Sequence, residues 1–163
     1  MTDDRARPKR QPPGFDPMTV PARRGSGYPP AFQAECANRV KRVLGGPAGL
    51  TRFGVNLVHL EPGAWSAQRH WHSQEDEFVY VLEGEITLAT DAGEQVLTPG
   101  MAAGFPAGVA DGHCLINRSD AVAVYLEVGD RIPGDRALYP DIDLIAEPDG
   151  DGRRFTDRKG EPL

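Results

Sequence analysis

Gly63–Gly84 reads GAWSAQRHWHSQEDEFVYVLEG, and the rest of the chain is best read outward from it. In an extended strand alternate side chains share a face, so His70 and His72 point one way and Trp71 the other. Two imidazoles then converge on one point. Ser73-Gln74-Glu75-Asp76 is a short polar, turn-like run, and the apolar run Phe78-Val79-Tyr80-Val81-Leu82 after it reads as a strand. The chain is expected to double back here, which sets Glu77 at the start of the returning strand beside both histidines. A mixed nitrogen and oxygen donor set of this kind suits Mn, Fe, Ni, Zn or Cu. Glu75 and Asp76 compete with Glu77 for the carboxylate role, although neighbouring carboxylates in one turn cannot all face a single cation.

With 163 residues the chain has length enough for one domain with a sizeable core. A formal net charge of -6 argues against a general binder of nucleic acid or anionic membranes, because a polyanion is repelled. A small-molecule partner fits better. No apolar run approaches the ~18 residues of a spanning helix, and the N-terminus lacks the apolar core of a secretory signal, so a cytoplasmic location is expected. Cys36 and Cys114 are too few for a disulfide framework and read as free thiols.

Residues 1–27 form an arm rich in proline and arginine, with almost nothing to bury, and are expected to be flexible. Phe32 to Leu44 fits either an edge strand or a short helix. From Thr51 onward short β-branched or aromatic runs alternate with turn signals: Phe53 to Leu60, Ser66 to His72, Phe78 to Leu82, Glu85 to Thr90, Glu94 to Leu97, Met101 to Phe105, His113 to Asn117 and Val122 to Val128. Many short strands at this spacing predict an all-β sandwich or barrel. Asp91-Ala92-Gly93 joins two of them as a hairpin. Phe78 to Leu82 is apolar on both faces, so a second sheet, the arm or a dimer partner must cover its far side. After Gly129 acidic and basic residues alternate, which predicts an irregular C-terminal extension across the barrel. The expected organisation is the arm at 1–27, one barrel domain with its flanking strands at 28–146, and a polar tail at 147–163.

These residues resemble the two sequence motifs of the cupin superfamily, small double-stranded β-helix (jelly-roll) barrels. The first is carried by Gly63, His70-Trp71-His72, Glu77 and Gly84; the second by Gly100, Pro106-Ala107-Gly108, His113 and Asn117. The resemblance implies that His70, His72, Glu77 and His113 bind one divalent transition metal near the centre of the barrel. It departs from the usual pattern in an extra residue before His70, four residues between Gly108 and His113, and Met101 after Gly100 where an Asp is usual. The insertions fall in turns and leave the ligand spacing from His70 to Gly84 intact.

Outside the motifs, His59 reads as structural and Asn117 as the holder of its own turn. Trp71, Tyr80 and Tyr125 read as core or interface aromatics. Glu127 lies in the apolar run Val124 to Val128, and a buried acid must be paired or have its pKa raised. Two readings stand: a catalytic general base in the cavity, or an outward acid paired with an arginine such as Arg131. Three His and one Glu leave open positions on a six-coordinate ion, which suits catalysis on an oxygen-rich small molecule. Cupins that look similar include isomerases, dioxygenases and lyases. The alternative is a non-catalytic cupin that binds or senses a metal or metabolite. No helix-turn-helix precedes the barrel, which argues against a fused DNA-binding sensor.

Overall fold

The computed structural model describes residues 13–150 and 152–163, and the expectation for the first part of the arm lies outside them. Thirteen strands carry the fold. The first five are β1 (Ala22–Arg24), β2 (Arg39–Val43), β3 (Phe53–Leu60), β4 (Trp71–His72) and β5 (Glu77–Glu83). Then follow β6 (Ile86–Thr90), β7 (Gly93–Leu97), β8 (Ala102–Phe105) and β9 (Cys114–Ile116). The chain ends with β10 (Ala123–Asp130), β11 (Ala137–Tyr139), β12 (Leu144–Asp149) and β13 (Gly152–Thr156). The only helical segments among the described residues are three-residue 3₁₀ turns at Pro17–Thr19, Pro30–Phe32 and Ala34–Cys36.

All the paired strands are antiparallel, in sheets ordered β1-β2-β3-β10-β5-β8, β13-β12-β11-β4 and β7-β6-β9. This is the jelly-roll barrel expected of the sequence. Alternation closes it: Val58, Leu60, Val79, Val81 and Tyr125 of the large sheet pack against Ile86, Leu88, Leu97 and Leu115 of the three-stranded sheet in one buried cluster. Each such side chain contributes about 1.5–3 kcal/mol by leaving water.

Several local expectations change. Phe32 to Leu44 divides between 3₁₀ turns and strand β2 rather than forming one element. Ser66 to Arg69 is a series of bends, and only Trp71 and His72 of that run form a strand. That strand pairs with β11 while β5 pairs with β10 and β8, so the turn after His72 carries the chain from one sheet to another rather than closing a hairpin. Parts of the segments expected to be irregular are strands. Ala22–Arg24 adds β1 to the edge of the large sheet through β2. Beyond Gly129, β11, β12 and β13 build most of the four-stranded sheet, because Ala137, Tyr139, Leu144 and Ala146 form a small core with Tyr28, Phe32 and Phe155. That apolar alternation is sparse and lies among many charged residues.

Gly84 makes the turn from β5 to β6 at φ +72°, and a Cβ there meets Ala123 Cα and Val122 O at 2.9 Å. Neither neighbour is a flexible side-chain tip. The left-handed backbone alone costs a non-glycine residue about 1–2 kcal/mol, and the contact with backbone adds to it. Gly84→Ala is expected to lower the melting temperature by roughly 5–10 °C in a thermal scan; an unchanged melting point contradicts the tight approach.

Candidate metal centre

The barrel interior brings together the four residues singled out in the two motifs. His70 pairs with His113 in an isolated antiparallel bridge, His72 sits in β4, and Glu77 opens β5. Three imidazole Nε2 atoms face one carboxylate oxygen, Glu77 Oε2: His113 at 2.9 Å, His72 at 3.5 Å and His70 at 3.7 Å. All four side chains are at least four-fifths buried.

The rings are held from behind. His70 Nδ1 donates to the Gln68 carbonyl at 2.8 Å. His72 Nδ1 donates to Asp135 Oδ2 at 2.5 Å, and Asp135 Oδ1 accepts from the backbone N–H of Gln74 at 2.9 Å and from Ser73 Oγ at 3.3 Å. A proton fixed on Nδ1 leaves the Nε2 lone pairs of His70 and His72 pointing at the centre. Phe105 stacks on His113 with ring centroids 3.6 Å apart, and Tyr139 stacks on His70 at 5.5 Å. The bends before His70 are pinned by Arg69, which donates from Nε and Nη2 to the two oxygens of Asp141 at 2.7 Å each and also pairs with Asp91.

Charge follows from this packing. Burial drives the His70 imidazole down to about 4, against the pull of Glu77, so the ring is neutral at physiological pH. Burial pushes the Glu77 carboxyl up, but the hydrogen bond from His113 and the three rings outweigh it and keep the group well below the usual carboxylate range. Burial likewise opposes ionisation of Asp135, and the His72 hydrogen bond with the Gln74 amide overcomes it. Three imidazole nitrogens and one carboxylate oxygen form a donor set that fits a divalent transition metal.

Glu75 and Asp76 have other partners. Glu75 Oε1 accepts from the Ile132 N–H, and Asp76 Oδ1 caps the Ala107 N–H. His70, Glu77 and His113 offer donor atoms within 4.8 Å of one another, whereas His72 falls in a separate such group with Glu75 and Asp135, on its Nδ1 side, where Asp135 already occupies that nitrogen. Cys114 Sγ points away from the centre and donates to the Ala67 carbonyl, and burial pushes its thiol up to about 12.

The four residues line a cavity of ≈ 590 Å³. Glu127 lines it too, so the outward pairing with Arg131 does not occur: its Oε1 accepts from Lys41 Nζ at 3.0 Å and Asn56 Nδ2 at 2.8 Å. Burial opposes its charge, but Lys41 prevails and the carboxyl titrates below its ordinary range. Sequence reasoning missed Asp135, Lys41 and Arg39. Asp135 follows Pro133-Gly134 in a run that looks like solvated tail, and only the turn dipeptide marks it. Lys41 and Arg39 alternate along β2, and that period becomes legible only once the segment is known to be a strand.

The profile of the Cupin domain family matches residues 56–129. A crystal structure described as a sugar phosphate isomerase from a cupin superfamily, from Silicibacter pomeroyi DSS-3, is 46% identical; the match covers 93% of this chain and 96% of that one, with a TM-score of 0.88. The chain belongs to the cupin superfamily. This cupin is also similar to a provisionally named sugar phosphate isomerase from Acidithiobacillus ferrooxidans ATCC 23270, at 31% identity over 77% of this chain and 80% of that one (TM-score 0.68). The polyketide cyclase RemF from Streptomyces resistomycificus is 25% identical over 77% and 84% of the two chains (TM-score 0.62). No curated protein matches the cupin's sequence. No helix among its described residues is long and apolar enough to cross a membrane.

Proposed function

We propose that this cupin is a metal-dependent enzyme that holds one divalent transition metal on His70, His72, Glu77 and His113 and acts on a small oxygen-rich molecule in the adjoining cavity. The observation that carries this reading is the convergence of three Nε2 atoms on Glu77 Oε2 at the wall of an open cavity rather than in a closed shell. Closed, cysteine-rich surroundings are the mark of structural sites. A bound metal supplies a Lewis acid for a substrate oxygen or, if it is iron or manganese, a centre for oxygen chemistry. A cavity with room for a ligand and an acid-base group in its wall favours an enzyme over a passive binder. Isomerase, dioxygenase and lyase chemistry all suit it, and the name of the 46% identical structure favours isomerisation.

Glu127 is the proton acceptor in this reading. Lys41 and Asn56 hold one of its oxygens, Lys41 keeps the group ionised, and the residue lines the cavity. Glu127→Gln is expected to lower turnover by roughly 10²–10⁴-fold with metal content unchanged. The base is the charged form, so protonation of Glu127, below the ordinary carboxylate range, is expected to lower wild-type activity. Equal turnover in the variant removes Glu127 from the chemistry.

The overall test is elemental analysis of protein purified without a histidine tag, followed by a turnover screen of hydroxy-acids, keto-acids, sugars and catechols. About one transition metal per chain and one turned-over class support the reading. Metal-free protein that takes up none ends it.

The same reading includes a homodimer. The inward residues of β5, Val79 and Val81, are buried, whereas Phe78, Tyr80 and Leu82 on its outer face are 39–45% exposed, and neither another sheet nor the described part of the arm covers them. Light scattering is expected to give twice the 17.7 kDa chain mass, and Tyr80→Glu a monomer; a monomeric wild type contradicts this.

A further inference from the structure

The cavity has a second pole. Registers across the large sheet set Arg23 opposite Lys41, Lys41 opposite Val58, Val58 opposite Tyr125 and Tyr125 opposite Val81, and residues paired in this way share a face. Arg23, Lys41 and Tyr125 all line the cavity in this row. Arg39, two residues before Lys41, reaches the same side, and Arg153 of β13 joins from the other sheet. Histidines aside, the charged side chains lining the cavity are four cations (Arg23, Arg39, Lys41, Arg153) and two carboxylates (Glu77, Glu127). A chain of net charge -6 has therefore gathered an excess of positive charge around one open cavity. Field lines focus in such a cleft and draw anions in.

Unspent hydrogen-bonding capacity lies on the same walls. Arg39 donates from its two terminal nitrogens to the Ser66 and Gly25 carbonyls and makes no direct ion pair among the described residues, and its Nε is buried without a partner. Ser26 Oγ and Tyr125 OH, both in cavity-lining residues, are also buried and unpartnered, and Tyr125 has no exposed surface. A buried donor left unmade costs about 1–3 kcal/mol, so three around one cavity suggest a ligand that satisfies them.

We propose that this wall is the binding site for an anionic group, carboxylate or phosphate, on the substrate, with Arg23, Arg39 and Arg153 supplying the charge and Tyr125 a hydrogen bond. Anion binding here deepens the reading of a metal-dependent enzyme and rests on it only for the fate of the bound molecule. Substrates of this cupin are then small acids rather than neutral sugars or catechols. Tyr125 packs its ring in the core cluster, as its apolar strand suggests, and in this proposal its hydroxyl also serves as a binding and positioning group.

Calorimetric titration with D-gluconate, D-glucose 6-phosphate and D-glucose, on chelator-stripped and on metal-loaded protein, tests this. At least one anion is expected to bind the stripped protein, more weakly as salt rises, and neutral glucose is not. The tighter of the two anions identifies the group. Arg23→Gln and Arg153→Gln, both at exposed positions, should each weaken binding roughly tenfold. Tyr125→Phe should weaken it about tenfold as well while leaving the melting temperature unchanged or raised, since the hydroxyl it removes has no partner in the protein. Glucose binding as well as the anions, anions binding only after metal loading or not at all, or a double arginine variant of undiminished affinity would each overturn the proposal. Anion binding by a protein that takes up no metal would leave this site standing and remove only the metal reading.

Discussion

His72→Ala is expected to abolish stoichiometric metal uptake. The loss should exceed the ~10–100-fold that partners behind a ligand contribute, because the variant removes a donor and not merely its orientation. His72 also occupies one oxygen of buried Asp135, so the substitution carries a stability cost of about 1–3 kcal/mol for the carboxylate left short of a partner. Metal content by elemental analysis therefore has to be paired with near-ultraviolet circular dichroism, to separate a missing ligand from a missing fold. A folded variant with full metal content removes His72 from the ligand set. Acid is expected to act in the same direction on the wild type, since a protonated imidazole cannot ligate. For His70 that competition sets in near pH 4 rather than near its ordinary 6.5, because burial disfavours the imidazolium.

Strand alternation and turn residues made the barrel legible. Phe53–Leu60 has the expected bounds, β6 and β7 form the expected hairpin with Gly93 opening β7, β5 extends its expected run by one residue at each end, and β10 is shifted to Ala123–Asp130. The histidines and Glu77 were legible for a simpler reason: three of the four histidines in the chain fall in two short motifs. What failed was long-range. A turn such as Ser73–Asp76 shows that the chain changes direction but not which sheet it enters, and here it enters a different one. Charge-rich segments misled in the same way. Ala22–Arg24 and Gly152–Thr156 look like solvated tail, yet they are strands that supply Arg23 and Arg153 to the cavity, because their backbone pairing and not their own burial orders them. Glu127 was legible as a buried acid; its partner Lys41, 86 positions away, was not.

Asp135→Asn isolates orientation from ligation. The aspartate is 1% exposed and its two oxygens are divided: Oδ2 receives the His72 Nδ1 proton, and Oδ1 receives those of Gln74 N and Ser73 Oγ. An asparagine of the same shape has only one accepting oxygen. If its NH2 faces His72, Nδ1 must become the acceptor and the proton moves to Nε2, where it blocks the lone pair aimed at the centre. If the amide flips, the NH2 meets the Gln74 N–H and one donor is orphaned. Either way metal affinity is expected to fall about 10–100-fold, with the ligands themselves untouched. Stability should fall by about 1–3 kcal/mol at pH 7, and the deficit carries a sign that a cavity or packing defect lacks. The folded-state pKa of Asp135 lies below its unfolded value, so its contribution is fully present above about pH 4 and is lost as pH falls through the lower folded value. The melting temperatures of wild type and variant are therefore expected to converge in acid. A variant that binds metal as tightly as the wild type would reduce Asp135 to a brace for the turn at Ser73 and Gln74, and a melting-point gap that does not narrow on acidification would show that its charge does not matter.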